Sequence, residues 1–404
     1  MVVVTYLLAH HLGTAGFGEY SFLAAIVMIG NVMTTFGTDM VLIREIAAKN
    51  NFSELSEVLI LQLLLSSVFI GFIFAFSSYL PNRTAESILA LKIYSLALLP
   101  LAFFTVFTSM LRGKQKMDAY AGLNFVIPSL LVIAIIFFVR YQSNIVMLAY
   151  VLLGVQAFGA VLAGILCVPL FPRSQASLKF SLNELISLVR LCLPVALIAI
   201  MGIMYQKLSL TMLSLLGSAA TVGLFSAASR ILETARMVHV AGYTVLYPAM
   251  AEGSSSVESR GAVKHSMSLL FGVAAIAFIF TIVFAKPIIN ILFGMEYQAS
   301  IPLLKILSFT MIPYTANSYF SLMCLAKGKE RIVLRILTLS FFNLLILNLL
   351  LIPSSGLIGA GWAMLVTEIA QTGLFLFENK SHPTDEFQNL ITEQGISHEL
   401  PNSS

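Results

Sequence analysis

Between Asn144 and Leu170 the chain runs for 27 residues without one charged side chain, and similar apolar stretches recur along most of its length. A helix needs about 20 apolar residues to cross a ~30 Å hydrocarbon core. Inside lipid every backbone amide must find its partner within the protein, which leaves helices and closed barrels as the spanning structures. Runs this long, without the alternation of a barrel strand, select the helix. Only 10% of residues are charged and 58% are hydrophobic, against about a quarter charged in soluble domains. The reading is therefore an all-α membrane protein with many spans.

Taken in order, residues 1–9 form the end of a first helix whose earlier part is absent from the sequence. A polar turn follows at 10–19, then a span at about 20–40 carrying Asn31, Thr34, Thr35 and Thr38 along one face. Further spans read at about 57–80, 86–110, 119–139 and 144–170. Six more read at about 190–216, 219–250, 266–290, 300–326, 333–352 and 355–377. This predicts about 12 transmembrane helices, the first truncated. They divide into an N-terminal six-helix lobe (1–170), an amphipathic cytoplasmic linker (171–189), a C-terminal six-helix lobe (190–377) and a polar, mobile cytoplasmic tail (378–404). The linker earns its description from Leu178, Leu182, Leu185, Ile186 and Val189, which recur at helical spacing among Lys179, Asn183 and Glu184.

The basic residues set the orientation. With the N-terminus inside, fifteen lysines and arginines fall in inner connections and four, Arg83, Arg140, Lys286 and Lys305, in outer ones. The positive-inside rule then places both termini in the cytoplasm. The same scatter explains the formal charge of +4 without a nucleic-acid partner. Cys167, Cys192 and Cys324 lie in apolar segments with no metal-ligand spacing, and His10-His11 have no further ligands nearby in sequence, so neither a metal nor a cofactor is expected.

Four basic residues remain inside the spans: Lys92, Lys207, Arg230 and Arg236. A charge at the bilayer centre costs at least ~2.5 kcal/mol, so such groups face a bundle interior or a water-filled path. Ser226, Ser229, Arg230, Glu233 and Arg236 share about a third of one helix's circumference, and Lys207, Thr211 and Ser214 form a stripe on the helix before it. Counting rise from the Gly217–Ala220 turn puts Lys207 and Arg230 roughly 15 Å deep, near the midplane. We take Lys207, Arg230, Arg236, Glu233 and Lys92 as candidates for a central substrate-binding cavity. Lys92 also has the reach to snorkel outwards. The plainer alternative is mutual neutralisation, with Glu233 pairing to Arg230 or Lys207. Glu368, Gln371, Asn31 and Thr38 are read as interior polar residues.

Two turns repeat across the halves. Leu12-Gly13-Thr14-Ala15, then Gly18, Tyr20 and Ser21, echoes Leu216-Gly217-Ser218-Ala219, then Gly223, Phe225 and Ser226. Leu111-Arg112-Gly113-Lys114 echoes Leu325-Ala326-Lys327-Gly328-Lys329. Repeats of the same sense imply a pseudo-twofold axis along the membrane normal, with the substrate between the lobes near the midplane. These motifs, with Arg44-Glu45 and the run Ser226-Ala227-Ala228-Ser229-Arg230-Ile231, resemble polysaccharide-type flippases, including those of O-antigen, in the multidrug/oligosaccharidyl-lipid/polysaccharide exporter superfamily. The resemblance implies two six-helix lobes around a cavity and alternating access. It implies a lipid-linked oligosaccharide as substrate, carried on undecaprenyl diphosphate to the outer leaflet for lipopolysaccharide-type surface glycans, with the bilayer and polysaccharide polymerase machinery as partners. Arg230 matches the family's basic residue after the small-residue run. Where many relatives carry an acid two positions after a basic residue, this chain has Ser209 after Lys207, which predicts an unpaired Lys207.

Two other functions remain. A cation-coupled multidrug antiporter of the same fold needs intramembrane carboxylates, and only Asp39, Glu233 and Glu368 qualify. A membrane glycan polymerase or ligase needs acid, base or diphosphate-binding groups in a sizeable outer loop, and the outer connections are short, so no enzyme is expected.

Overall fold

The computed structural model describes residues 2–49, 55–81, 83–140, 144–170, 182–251 and 257–381. Helices dominate them: α1 Val2–Thr35, α2 Thr38–Lys49, α3 Leu55–Phe76, α4 Ala85–Ser95, α5 Leu98–Gly113, α6 Met117–Arg140, α7 Ile145–Cys167, α8 Leu182–Leu216, α9 Ala219–Ala251, α10 Val257–Val283, α11 Ala285–Leu292, α12 Ile301–Phe309, α13 Met311–Ala326 and α14 Glu330–Ser381. Local chemistry sets several boundaries. Thr84 and Asn144 cap α4 and α7 by accepting the amides of Ser87 and Met147, and Ser218 accepts the amide of Thr221 at the start of α9.

Seven helices among the described residues are long and apolar enough to cross a membrane. Two bent pairs, α10–α11 at 76° and α12–α13 at 42°, raise this to nine. The longest helices hide further turns. At Gly13 (φ 64°, ψ −175°) and Gly356 (φ 53°, ψ −126°) the backbone leaves the helical region, so α1 and α14 are each two helices joined at a glycine. Dividing both, and adding α9 with its Arg230, Glu233 and Arg236, gives the twelve expected from sequence. The turn placed at 10–19 is thus confined to Gly13, with helix on either side.

The described part of the 171–189 segment, from Leu182, forms the first turns of α8 and continues into the span without a break; residues 171–181 lie outside the described residues. The same holds for 382–404 of the tail, while 378–381 finish α14.

Helices α1–α7 and α8–α14 form two lobes. At the end bearing the Gly13 and Gly217 turns the lobes meet through α1 and α9, whose crossing is reciprocal. A Cβ on Gly18 would lie 1.8 Å from the Ala219 carbonyl oxygen, and one on Gly223 would lie 1.9 Å from that of Thr14. These positions are equivalent in the internal repeat, so the pseudo-twofold axis passes between the two helices. Phe17 packs against Phe293 and Tyr297 beside the crossing, and Tyr297 donates to the Ala9 carbonyl at 3.2 Å. Arg83 stacks on Phe22, 4.0 Å from the ring centroid, and donates to the Ser214 hydroxyl of α8. At the opposite end Leu188 and Cys192 of α8 join an apolar core with Val41, Leu42 and Ile46 of α2. The lobes therefore touch at both ends.

Candidate functional site

Between those contacts lies a cavity of about 50 Å³, lined by Ser21 and Met28 from α1 and by Lys207, Ser226, Ser229, Arg230 and Glu233 from α8 and α9. Its electrostatics centre on Glu233. One carboxylate oxygen accepts from the Lys207 ammonium at 2.8 Å and the other from the Arg230 guanidinium at 3.2 Å. Lys207 is 8% exposed, and the Arg230 side chain is 36% exposed. Two cations and one carboxylate leave the group with net charge +1. A single carboxylate thus bridges two cations, the mutual pairing weighed as the plainer alternative.

The structure corrects three expectations, at Lys207, Arg236 and Lys92. Lys207 is not unpaired: the acid missing at Ser209 is replaced in space by Glu233 of the next helix, and Ser209 instead accepts from Asn348 at 3.1 Å. Arg236 does not line this cavity. It stands at the edge of the arc shared by Ser226, Arg230 and Glu233, three residues beyond Glu233, and turns into the second lobe. There it donates to Thr310 at 2.9 Å, stacks on Tyr314 at 3.9 Å from the ring centroid, and sits 3.8 Å from Glu368.

Glu368, 2% exposed, takes its remaining bonds from Asn317 at 2.8 Å and from the Tyr205 hydroxyl. Thr372, one turn along α14, donates to Asn317 at 2.8 Å. Gln371 is buried on the same helix. Glu368 and Gln371, read from sequence as interior polar residues, are both buried here. So is Thr38, in the other lobe, where it donates to the Thr35 carbonyl and accepts from Gln62 at 2.7 Å. Asn31 is half-buried and gives only its carbonyl, to Thr34. Lys92 stands away from the cavity on α4, with its ammonium 5.7 Å from the Phe74 ring centroid. His10 is engaged with the Tyr6 carbonyl at 2.9 Å. Tyr205, Asn317, Thr310 and Gln62 escaped sequence reasoning because an uncharged polar residue in a span carries no signal until its partner on another helix is known.

Helical hydroxyls in this protein ordinarily bond back to the carbonyl four residues earlier, as Ser67, Thr105, Thr211 and Ser308 do. The cavity serines do not. Ser21, Ser226 and Ser229 each bury a hydroxyl oxygen with no hydrogen-bond partner.

Two helical lobes related by a pseudo-twofold, with a small charged cavity between them, define the class: a multi-pass helical membrane protein. Residues 1–254 match the family described as polysaccharide biosynthesis protein, and the chain belongs to that family. Nothing among curated proteins matches the sequence. Solved structures share the fold at low identity. A multidrug resistance MATE family transporter of the MOP superfamily, in an inward-facing conformation, has TM-score 0.75 and 15% identity, over 98% of this chain and 95% of that one. The lipid II flippase MurJ, in an inward closed conformation, has TM-score 0.76 and 14% identity, over 98% and 92%. A MOP superfamily transporter from Pyrococcus furiosus has TM-score 0.67 and 14% identity, over 94% and 91%.

Proposed function

We propose that this protein is a flippase that carries oligosaccharide repeat units, linked through a diphosphate to a polyprenyl lipid, across a bacterial inner membrane. The observation that carries the reading is the pair of cations, Lys207 and Arg230, held at the inter-lobe cavity by one carboxylate. A diphosphate brings two or more negative charges into a layer hostile to charge, and a site of charge +1 with two cations complements it. In the unloaded carrier Glu233 stands where the substrate's oxyanion would go; loading exchanges one anion for another and leaves no bare cation in the membrane. Membership in a polysaccharide biosynthesis family and a fold shared with a lipid II flippase support the substrate class.

A cavity of about 50 Å³ has room for only a few waters. A sugar diphosphate needs the lobes to part, so transport proceeds by alternating access. The distribution of basic residues orients the Gly13 and Gly217 turns outward and both termini inward. The carrier makes and breaks no covalent bond, and hands its cargo to polymerase machinery assembling O-antigen-type lipopolysaccharide chains.

The alternative is a cation-coupled multidrug antiporter, favoured by the equal likeness to a MATE transporter and by the buried Glu368. That carboxylate, however, is already occupied by Arg236, Asn317 and Tyr205. The reading is tested by surface glycan in a strain lacking its own flippase. Lys207→Ala and Arg230→Ala are expected to abolish most export at normal membrane abundance, and Arg230→Lys to lose part of it, because an ammonium replaces the two-pronged grip of a guanidinium on phosphate. Normal export by both alanine variants refutes the reading. Recovery of folding, rather than export, in Arg230→Ala/Glu233→Ala would assign the group a structural role.

A further inference from the structure

We infer that Ser21 and Ser226, one from each lobe, together bind the substrate's diphosphate, so that a single anionic group ties the two lobes of the carrier to each other. The inference rests on the anion-carrier reading above and adds to it the hydroxyl ligands and a contribution from the first lobe. That lobe otherwise brings no charged side chain to the cavity lining.

Ser21 and Ser226 are 4% and 2% exposed, and both line the cavity. Burying an unpaired hydroxyl is unfavourable, so each such group in a packed interior calls for a reason. The ordinary escape, a bond to the carbonyl one turn back, is open to any helical serine and is taken throughout this protein, yet neither residue takes it. The five serines with buried, unpartnered hydroxyls among the described residues are Ser21, Ser77, Ser226, Ser229 and Ser340, and three of these five line this one cavity. Chance burial would not gather them around two cations.

Their placement follows the repeat. Gly18 and Gly223 abut at the helix crossing, and Ser21 and Ser226 each follow three residues later, about 4.5 Å along the helix axis. Related by the pseudo-twofold, the two hydroxyls approach the axis from opposite lobes. A hydroxyl donates to a phosphate oxygen, and such charge-assisted bonds are about twice as strong as neutral ones. Lys207 and Arg230 supply charge from the second lobe, and Ser21 supplies the matching donor from the first.

The test measures binding of undecaprenyl diphosphate to the purified full-length protein in lipid nanodiscs, with undecaprenol and inorganic pyrophosphate as further probes. We expect the wild type to bind undecaprenyl diphosphate and not undecaprenol, and Ser21→Ala and Ser226→Ala each to weaken binding by roughly tenfold at unchanged thermal stability. Ser340→Ala, an unpartnered serine outside the cavity, is expected to have no effect. The near-isosteric Ser→Cys variants, whose thiols are weak donors, carry the test where an alanine variant folds poorly. Pyrophosphate following the same ranking places the recognised chemistry in the phosphates and not in the lipid. Unchanged binding in the serine variants, with loss in Lys207→Ala, overturns the inference and leaves the anion carrier standing. An effect seen only when sugar is attached overturns the assignment to diphosphate. Absence of diphosphate binding by the wild type overturns both.

Discussion

Adding one methyl group at the helix crossing should part the two lobes at the end bearing the Gly13 and Gly217 turns, the outer side in the proposed orientation. In Gly18→Ala the new Cβ would lie 1.8 Å from the Ala219 carbonyl oxygen and 2.7 Å from the Gly223 amide nitrogen. A carbon seldom approaches a carbonyl oxygen closer than about 3.3 Å, so α1 and α9 must part by roughly 1.5 Å. The obstacle is backbone on both sides and no rotamer relieves it. Overpacking of this kind costs about 1–3 kcal/mol, and at ~1.4 kcal/mol per factor of ten this shifts the balance from the sealed towards the open state by roughly 5- to 150-fold. The assay places a cysteine at Met28, which lines the cavity, in a background without Cys167, Cys192 and Cys324. An impermeant thiol reagent applied from outside should label it faster in Gly18→Ala and in Gly223→Ala than in the unsubstituted carrier, and export should fall. Equal labelling and normal export in both variants would refute the claim that this crossing seals the cavity.

Glu368→Leu should lower thermal stability by about 3–5 kcal/mol, since it strands the Arg236 guanidinium in a buried site; its side chain is 14% exposed against 3% for Glu368. Adding Arg236→Met should recover most of that stability in thermal unfolding of the purified protein, and no recovery would show that the two do not act as a pair. For topology, cysteines at Gly328 and Ser355, both exposed, should respectively resist and accept an impermeant reagent from outside; the reverse would invert the orientation derived from the basic residues.

The architecture was legible because hydrophobic run length and loop charge are one-dimensional properties, fixed before any helix chooses a neighbour. The repeat around Gly13 and Gly217 was legible too, and its equivalent glycines, Gly18 and Gly223, are where α1 crosses α9. The pairing was not. From sequence Lys207, Arg230 and Arg236 are three cations on neighbouring polar stripes, and whether Arg236 stays with Glu233 or leaves it depends on an offset of about 60° around the helix between positions 233 and 236. That small angle sends Arg236 into the second lobe towards Glu368, 132 residues further along the chain. Lys92 misled for a similar reason: depth in the membrane is countable from sequence, but the face a side chain takes is set by packing, here against Phe74. Ser21 carried only a faint signal, its equivalence to Ser226.

Translocation of a fluorescent, diphosphate-linked oligosaccharide lipid in proteoliposomes tests the cationic cavity most directly, because it needs no cell and no polymerase. The purified wild type should move the labelled lipid from inner to outer leaflet, Lys207→Arg should retain much of that rate, and Lys207→Ala and Arg230→Ala should fall to that of protein-free vesicles while remaining folded. Translocation by the two alanine variants at the wild-type rate would contradict it.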